Sequence, residues 1–101
     1  MKFPQKMVDF FILWMLKVQP DTGYGMIARM KEGGVPMPGA QMYPILNSLN
    51  EQKLIKKVPE KEGKRVKYRY YITQNGLQDL HEMKKGMSPL KRECLAYMLK
   101  R

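Results

Sequence analysis

Residues 38–52, PGAQMYPILNSLNEQ, are followed almost at once by residues 54–72, LIKKVPEKEGKRVKYRYYI. In the first segment the apolar side chains recur at the spacing of one helix face and leave polar side chains on the other. The second segment predicts two strands, Leu54–Val58 and Lys67–Ile72, joined by residues 59–64 with Gly63 at the bend. A polar-faced helix that leads into a lysine-rich hairpin is typical of a helix-turn-helix with a β-wing, and it indicates DNA binding.

The rest of the chain supplies the helices that such a fold needs. A first helix is predicted over Gln5–Val18, and a second follows, with Asp21 or Thr22 as N-cap and Gly33-Gly34 at its end. In that second helix Tyr24, Ile27, Ala28 and Met30 are expected to face inward. Thr73 is predicted to cap a fourth helix, and Ser88-Pro89 is predicted to begin a fifth. We therefore expect a mainly α fold with a small β-hairpin (α+β), with a winged helix-turn-helix over residues 1–87 and a C-terminal dimerisation helix over residues 88–101.

Length and charge narrow the functional classes. The chain has 101 residues, which suits one compact domain, and 19 Lys plus Arg against 9 Asp plus Glu give a net charge of +10. Such a charge favours a polyanionic partner, because basic side chains that contact phosphates release counterions. The alternative is a solvated basic surface without a polyanionic partner. Nucleic acid is the leading partner class.

Several other classes find little support in the sequence. One cysteine, Cys94, and one histidine, His81, can form neither an internal disulfide nor a clustered zinc site, so no metal and no cofactor is expected. No nucleophile has a plausible base beside it and no glycine-rich phosphate loop is present, so an enzyme is not expected. The strongest apolar run, Phe10–Leu16, is too short to cross a membrane. We expect a cytoplasmic protein.

Three short motifs resemble the PadR family of winged-helix transcriptional regulators. They are Gly23-Tyr24-Gly25-Met26-Ile27, the run from Met42 to Leu49, and Tyr70-Tyr71-Ile72-Thr73 with Gly76. The resemblance covers roughly Phe10 to Leu80. It implies a homodimer in which the third helix enters the major groove, the wing lies along the backbone or minor groove, and C-terminal helices complete the dimer. Some members are repressors relieved by phenolic or other aromatic compounds, so a small aromatic effector is a candidate partner, and a regulator without an effector is the alternative.

This chain departs from the family pattern in two places. Family members often carry a small polar pair and a longer, charged helix where this chain has Ala40-Gln41 and Asn47-Ser48, and the C-terminal region of this chain is short. The operator sequence and the effector therefore do not carry over from the family.

Candidate DNA contacts divide into base readers and phosphate contacts. The carboxamides of Gln41 and Asn47 match the donor and acceptor of adenine in the major groove, whereas the alternative is that they cap a turn or stay solvated. Tyr43 can donate its hydroxyl to a phosphate or be a half-buried structural residue, and Ser48 can add a contact or be only solvated. The wing is predicted to contact phosphates or a narrow minor groove through its basic residues Lys61, Lys64, Arg65 and Lys67. We rank Lys56, Lys57 and Arg69 below them, because the strand pleat can turn each side chain toward DNA or away from it.

Apolar side chains at both ends of the chain are candidates for a dimer interface, because exposed aromatics at this density would form an association site. Trp14 is also a candidate contact for a flat aromatic effector, and the alternative is a core or dimer-contact role. The predicted dimer residues are Phe3, Met7, Phe10 and Trp14 near the start, and Leu90, Cys94, Tyr97 and Met98 near the end.

Two further functions stay open at this point. An architectural DNA-binding or RNA-binding module would use the same charge and wing without reading sequence. A winged helix that assembles a protein complex would use its apolar helices and need the basic residues only for solubility. The leading interpretation is a homodimeric, sequence-specific DNA-binding repressor.

Overall fold

The computed structural model describes residues 5–85, with side chains from Lys6 onward. The predicted fifth helix at Ser88-Pro89 and the dimerisation segment 88–101 lie outside the described residues. The chain order of helices and strands confirms the α+β prediction. The elements are α1 (Gln5–Val18), β1 (Asp21–Thr22), α2 (Gly23–Glu32), α3 (Gly39–Glu51), β2 (Ile55–Glu62), β3 (Arg65–Ile72) and α4 (Gln74–Lys85).

Helix α1 supplies more buried core residues than any other described element, and it packs against β3 and α4. Ile12, Leu13 and Leu16 in its middle are at most 1% exposed. Full burial of one such side chain contributes about 1.5–3 kcal/mol, so this helix is a main source of stability. No helix in residues 5–85 combines the length and the apolar character needed to cross a membrane.

Helix α2 begins as the sequence indicates, but it faces the core differently. Thr22 is its N-cap and accepts a hydrogen bond from the Gly25 N–H at 3.0 Å, as predicted. The prediction that Tyr24 and Ala28 face inward is wrong, because both are exposed. Met26 and Met30 fill the core from this helix instead. Residues four apart share one side of a helix, so once the methionines face inward, Tyr24 and Ala28 face solvent together.

The sheet is longer than predicted and has one more strand. Its order is β1-β3-β2, and β1 pairs with β3 through Asp21 opposite Tyr70. Residues 59–62, predicted as loop, continue β2, and Pro59 lies opposite Tyr68. The strands join through the two-residue turn Gly63-Lys64, in which Gly63 has φ +64. A positive φ at the first turn residue alone is the pattern of a type II′ hairpin turn, which favours glycine there.

Helix α3 is fixed at both ends by backbone hydrogen bonds. The carbonyl of Pro38 accepts from the N–H groups of Gln41 and Met42, both at 3.0 Å. After the helix, Lys53 adopts φ +62 and the Leu54 N–H donates to the Leu49 carbonyl. This left-handed residue and the bond that spans it form a Schellman ending, which turns the chain from α3 directly into β2.

Candidate nucleic-acid interface

Helix α3 presents one apolar stripe to the core and a different stripe to solvent. Met42, Ile45, Leu46 and Leu49 are buried. The exposed residues recur at three- and four-residue spacing, which places them on one outward side. They are Ala40, Tyr43, Pro44, Asn47 and Glu51.

The predicted base and phosphate contacts of α3 differ in exposure. Asn47 lies in the middle of the outward stripe and is exposed, whereas Gln41 and Ser48 are half-buried beside it. The Ser48 hydroxyl accepts a hydrogen bond from Gln52 Nε2 at 3.1 Å. Asn47 is therefore the most accessible of the three polar side chains.

Tyr43 connects α3 to the start of α2. A Cβ atom on Gly23 would lie 2.6 Å from Tyr43 Cε1, and one on Gly39 would lie 3.3 Å from Tyr43 Cε2. The ring thus fits between two positions that have no side chain. Tyr43 nevertheless stays 43% exposed, so it is packed along its ring and accessible from outside. This arrangement is compatible with both roles considered for Tyr43, a phosphate contact and a half-buried structural residue.

An open concavity of about 440 Å³ lies between the start of α2, helix α3 and the wing. Each of the three contributes at least one tyrosine: Tyr24 from α2, Tyr43 from α3, and Tyr68 and Tyr70 from β3. Tyr24 is 79% exposed. Burial raises the pKa of Tyr70, with Tyr43 and Tyr68 adding to the effect, so its hydroxyl stays protonated at neutral pH. The remaining lining residues are Thr22, Gly23, Val66 and Lys67.

An ion pair fixes the segment that leads into this concavity. The Asp21 carboxylate accepts the Thr22 N–H through Oδ1 at 2.7 Å and lies 3.3 Å from Arg29 Nη1 through Oδ2. The same carboxylate occupies the space where a Gly25 side chain would be. Asp21, Gly25 and Arg29 therefore hold β1 and the first turn of α2 in place beside β3.

The wing carries most of the charge of this region. Residues 55–72 contain seven Lys and Arg against two Glu, which is half of the net charge of +10. Two of the basic residues form cross-strand ion pairs: Arg69 Nε lies 2.9 Å from Glu60 Oε2, and Lys67 Nζ lies 2.8 Å from Glu62 Oε2. Lys61, Lys64 and Arg65, the other predicted wing contacts, are all exposed. Lys67 is exposed as well, but its charge is partly compensated.

The Arg69–Glu60 contact shifts the pKa of both partners. The hydrogen bond from Arg69 lowers the pKa of Glu60, and the charges of Arg69 and Lys67 lower it further. The pKa of Arg69 is raised in turn, chiefly by its hydrogen bond to Glu60. Both shifts favour the ionised pair at every pH above the acidic range.

Sequence reasoning missed one accessible residue of this region and ranked two others too low. Tyr68 was not considered as a contact. Tyr24 was expected in the core, with a backbone contact as the less favoured alternative, and Lys57 was ranked below the tip of the wing. In the structure Tyr68 is exposed and the Lys57 ammonium lies 4.5 Å from the centroid of its ring. The alternation along both strands is the signal that could have found this pair, but it needs the hairpin register, and the turn was predicted too early and too long.

The predicted dimer and effector residues are only partly described. Phe3, Leu90, Cys94, Tyr97 and Met98 lie outside the described residues. In α1, Met7 and Trp14 are half-buried, whereas Phe10 is 3% exposed and has little surface to offer a partner. The ring of Trp14 stacks on Phe10 at 5.9 Å between centroids, and Lys84 Nζ lies 4.6 Å from its centroid. A flat ligand would have to compete with these neighbours for the indole.

Sequence comparison identifies the family. Residues 12–82, well over half of the chain, match the model of the transcriptional regulator PadR-like family. The chain belongs to the PadR-like family. The recognition made from the three motifs is confirmed, and so is the winged helix-turn-helix fold. The family is one of transcriptional regulators, and its description names no enzymatic activity.

Solved structures agree with this assignment. A PadR-family transcriptional regulator from Eggerthella lenta superposes with a TM-score of 0.75 at 24% identity, over 79% of this chain and 70% of that one. Bacillus subtilis PadR, crystallised in complex with operator DNA, superposes with a TM-score of 0.77 at 26% identity, over 85% of this chain and 51% of that one. A PadR-like transcription factor from Bacteroides fragilis superposes with a TM-score of 0.80 at 19% identity, over 91% of this chain and 90% of that one. Among curated proteins compared by sequence, none matches this chain significantly.

Proposed function

We propose that this protein is a homodimeric, sequence-specific DNA-binding repressor in which α3 enters the major groove and the wing contacts the backbone or minor groove. The observation that carries the proposal is the common border of α3 and the wing: Tyr43 and Tyr68 line the same concavity. A duplex that contacts the outward stripe of α3 would then meet the basic wing as well. The similarity to Bacillus subtilis PadR, which was crystallised with operator DNA, supports this arrangement.

Helix α3 would supply the contacts that depend on sequence. Asn47 is exposed in the middle of the outward stripe, and a carboxamide can make two hydrogen bonds to adenine. Gln41 would reach bases from the edge of the stripe. Tyr43 would donate a hydrogen bond from its hydroxyl to a phosphate beside the groove. Ser48 would add a contact only if its hydroxyl loses the hydrogen bond from Gln52. These contacts set register and specificity.

The tip of the wing would supply affinity for any sequence. Lys61, Lys64 and Arg65 are exposed within a hairpin that extends beyond the core. Each phosphate that a basic side chain neutralises steepens the dependence of log K on log salt by about 0.9. Lys67 belongs to the same predicted set, but it would first have to exchange Glu62 for a phosphate.

A repressor of this kind would act as a dimer, with residues 1–87 as the DNA-binding unit and residues 88–101 as a dimerisation helix. Two recognition helices in phase would contact half-sites about 34 Å apart. Met7 and Trp14 on α1 would form the dimer interface together with the C-terminal residues. An aromatic effector would bind at this interface. Sedimentation of the full chain at micromolar concentration would show a dimer, and a monomer there would contradict this geometry.

Selection from a randomised duplex library at about 150 mM salt tests the proposal, because non-specific binding by basic proteins is weak there. The expected result is an enriched inverted repeat. Bound DNA without a common motif would contradict sequence-specific regulation and favour an architectural protein. Failure to retain any duplex, even at low salt, would favour the protein-interaction function.

A further inference from the structure

The two faces of the wing differ in chemistry. Successive residues of a strand point to opposite faces, and residues paired across an antiparallel ladder share a face. The register pairs Lys57 with Tyr70, Pro59 with Tyr68 and Lys61 with Val66. We name this side the tyrosine face. Beyond the core it carries Lys57, Pro59, Lys61, Val66 and Tyr68. The opposite side, the paired face, carries Lys56, Val58, Glu60 and Glu62 together with Arg65, Lys67, Arg69 and Tyr71.

Both glutamates of the hairpin lie on the paired face, where they hold Arg69 and Lys67 in ion pairs of 2.9 and 2.8 Å. Half of the positive charge of that face is therefore compensated within the hairpin. On the tyrosine face, Lys57 and Lys61 form no ion pair with any residue in the described part of the chain. Lys57 instead lies over the ring of Tyr68. A cation held on a ring keeps its full charge and is restricted in direction.

The tyrosine face is also the one that borders α3. Val66, Tyr68 and Tyr70 line the concavity together with Tyr43, and Ile55 and Tyr70 at the base of the same face are buried in the core. Lys67 also lines the concavity, but its ammonium group is held by Glu62. A phosphodiester backbone that runs from the outward stripe of α3 along the wing would thus meet the tyrosine face first.

We infer that, beside Lys64 and Arg65 at the turn, the strands of the wing contact DNA through the tyrosine face, with Lys57 and Lys61 as their phosphate contacts. Tyr68 positions Lys57, while Lys67 and Arg69 stabilise the hairpin. This inference rests on the proposed DNA binding. It differs from the sequence prediction by replacing Lys67 with Lys57. The occupant is the sugar-phosphate backbone of a duplex, because the face combines uncompensated cations with direct continuity to α3.

Two double variants with equal charge change test the inference. K57Q/K61Q removes two lysines from the tyrosine face, and K56Q/K67Q removes two from the paired face. All four lysines are exposed, and the Lys67–Glu62 pair is a surface pair, so both variants should fold. Circular dichroism during heating would verify this. Binding is measured by fluorescence anisotropy with a short mixed-sequence duplex between about 50 and 200 mM salt.

We expect K57Q/K61Q to make the slope of log K against log salt shallower by about 1.8. The affinity should fall by on the order of tenfold for each lost contact near 0.1 M salt. K56Q/K67Q should lower the slope by less than half as much. Equal losses would overturn the inference, since the wing would then act only through its total charge, and a larger loss in K56Q/K67Q would assign the contact to the paired face. If the unaltered protein does not bind the duplex, the proposed DNA binding fails before the variants are compared.

Discussion

Helix α3 and the wing lie side by side, but they are built in opposite ways. Helix α3 has four buried apolar residues, both ends fixed by backbone hydrogen bonds, and no basic residue. The wing carries half of the net charge, and most of its side chains are exposed. A reader of base edges needs fixed geometry, whereas a phosphate contact needs charge and tolerates movement. In the proposed function, this difference would give specificity to the helix and general affinity to the wing.

The largest expected difference between the two regions is in stability. Leu46 on α3 is fully buried, so Leu46→Ala should lower the free energy of unfolding by about 2–5 kcal/mol. Val66 on the wing is half exposed, and Val66→Ala should cost less than about 1 kcal/mol. Urea unfolding monitored by circular dichroism measures both. Similar losses would mean that the wing is part of the cooperative core and that α3 and the wing do not differ in stability.

Tyr43 packs closely against Gly23 at the border of α2 and α3. Gly23→Ala would bring a Cβ atom within 2.6 Å of the Tyr43 ring, and overpacking of this kind costs about 1–3 kcal/mol. In a Tyr43→Ala background the ring is absent, so the same substitution should cost much less. A double-mutant cycle of unfolding free energies measures this coupling. Equal costs in the two backgrounds would mean that Gly23 is needed for its backbone and not for the fit of Tyr43.

The smallest effect concerns the ion pairs of the wing. The pKa of Glu60 is lowered by Arg69, so the pair stabilises the hairpin above the ordinary carboxyl pKa of 4.5 and this contribution is lost as the pH falls through the lower, folded-state value. A carboxyl titration by NMR should show Glu60 titrating below 4.5. Arg69→Gln should return it toward the ordinary value. Lys64→Gln, at the turn, is the matched control and should leave it unchanged.

Local signals in the sequence predicted much of the fold. Thr22 and Thr73 were expected as helix caps, and each accepts the N–H three residues ahead, from Gly25 and Gly76. The spacing of apolar residues gave the buried stripe of α3 correctly. These features depend on neighbours within a few positions, which is why one sequence was enough to predict them.

The errors concern contacts between distant segments. Strand β1 has two residues and exists only because Asp21 and Thr22 pair with β3, almost fifty positions away. Pro59 indicated a loop, but β2 is an edge strand, where proline is tolerated. The shorter predicted strands hid the register, and with it the two faces of the wing. Helical spacing alone also could not show which side of α2 the core covers, so Tyr24 was placed inside.

In the proposed function, α3 reads the DNA sequence and the wing does not. The decisive measurement is the ratio of affinities for a selected site and a mixed-sequence duplex, for the unaltered protein, Asn47→Ala and the double variant K64A/R65A. We expect Asn47→Ala to lower this ratio by about 1–3 kcal/mol in binding free energy. K64A/R65A should weaken binding to both duplexes, reduce the salt slope by about 1.8 and leave the ratio unchanged. A ratio that falls with K64A/R65A and not with Asn47→Ala would contradict this division of roles between α3 and the wing.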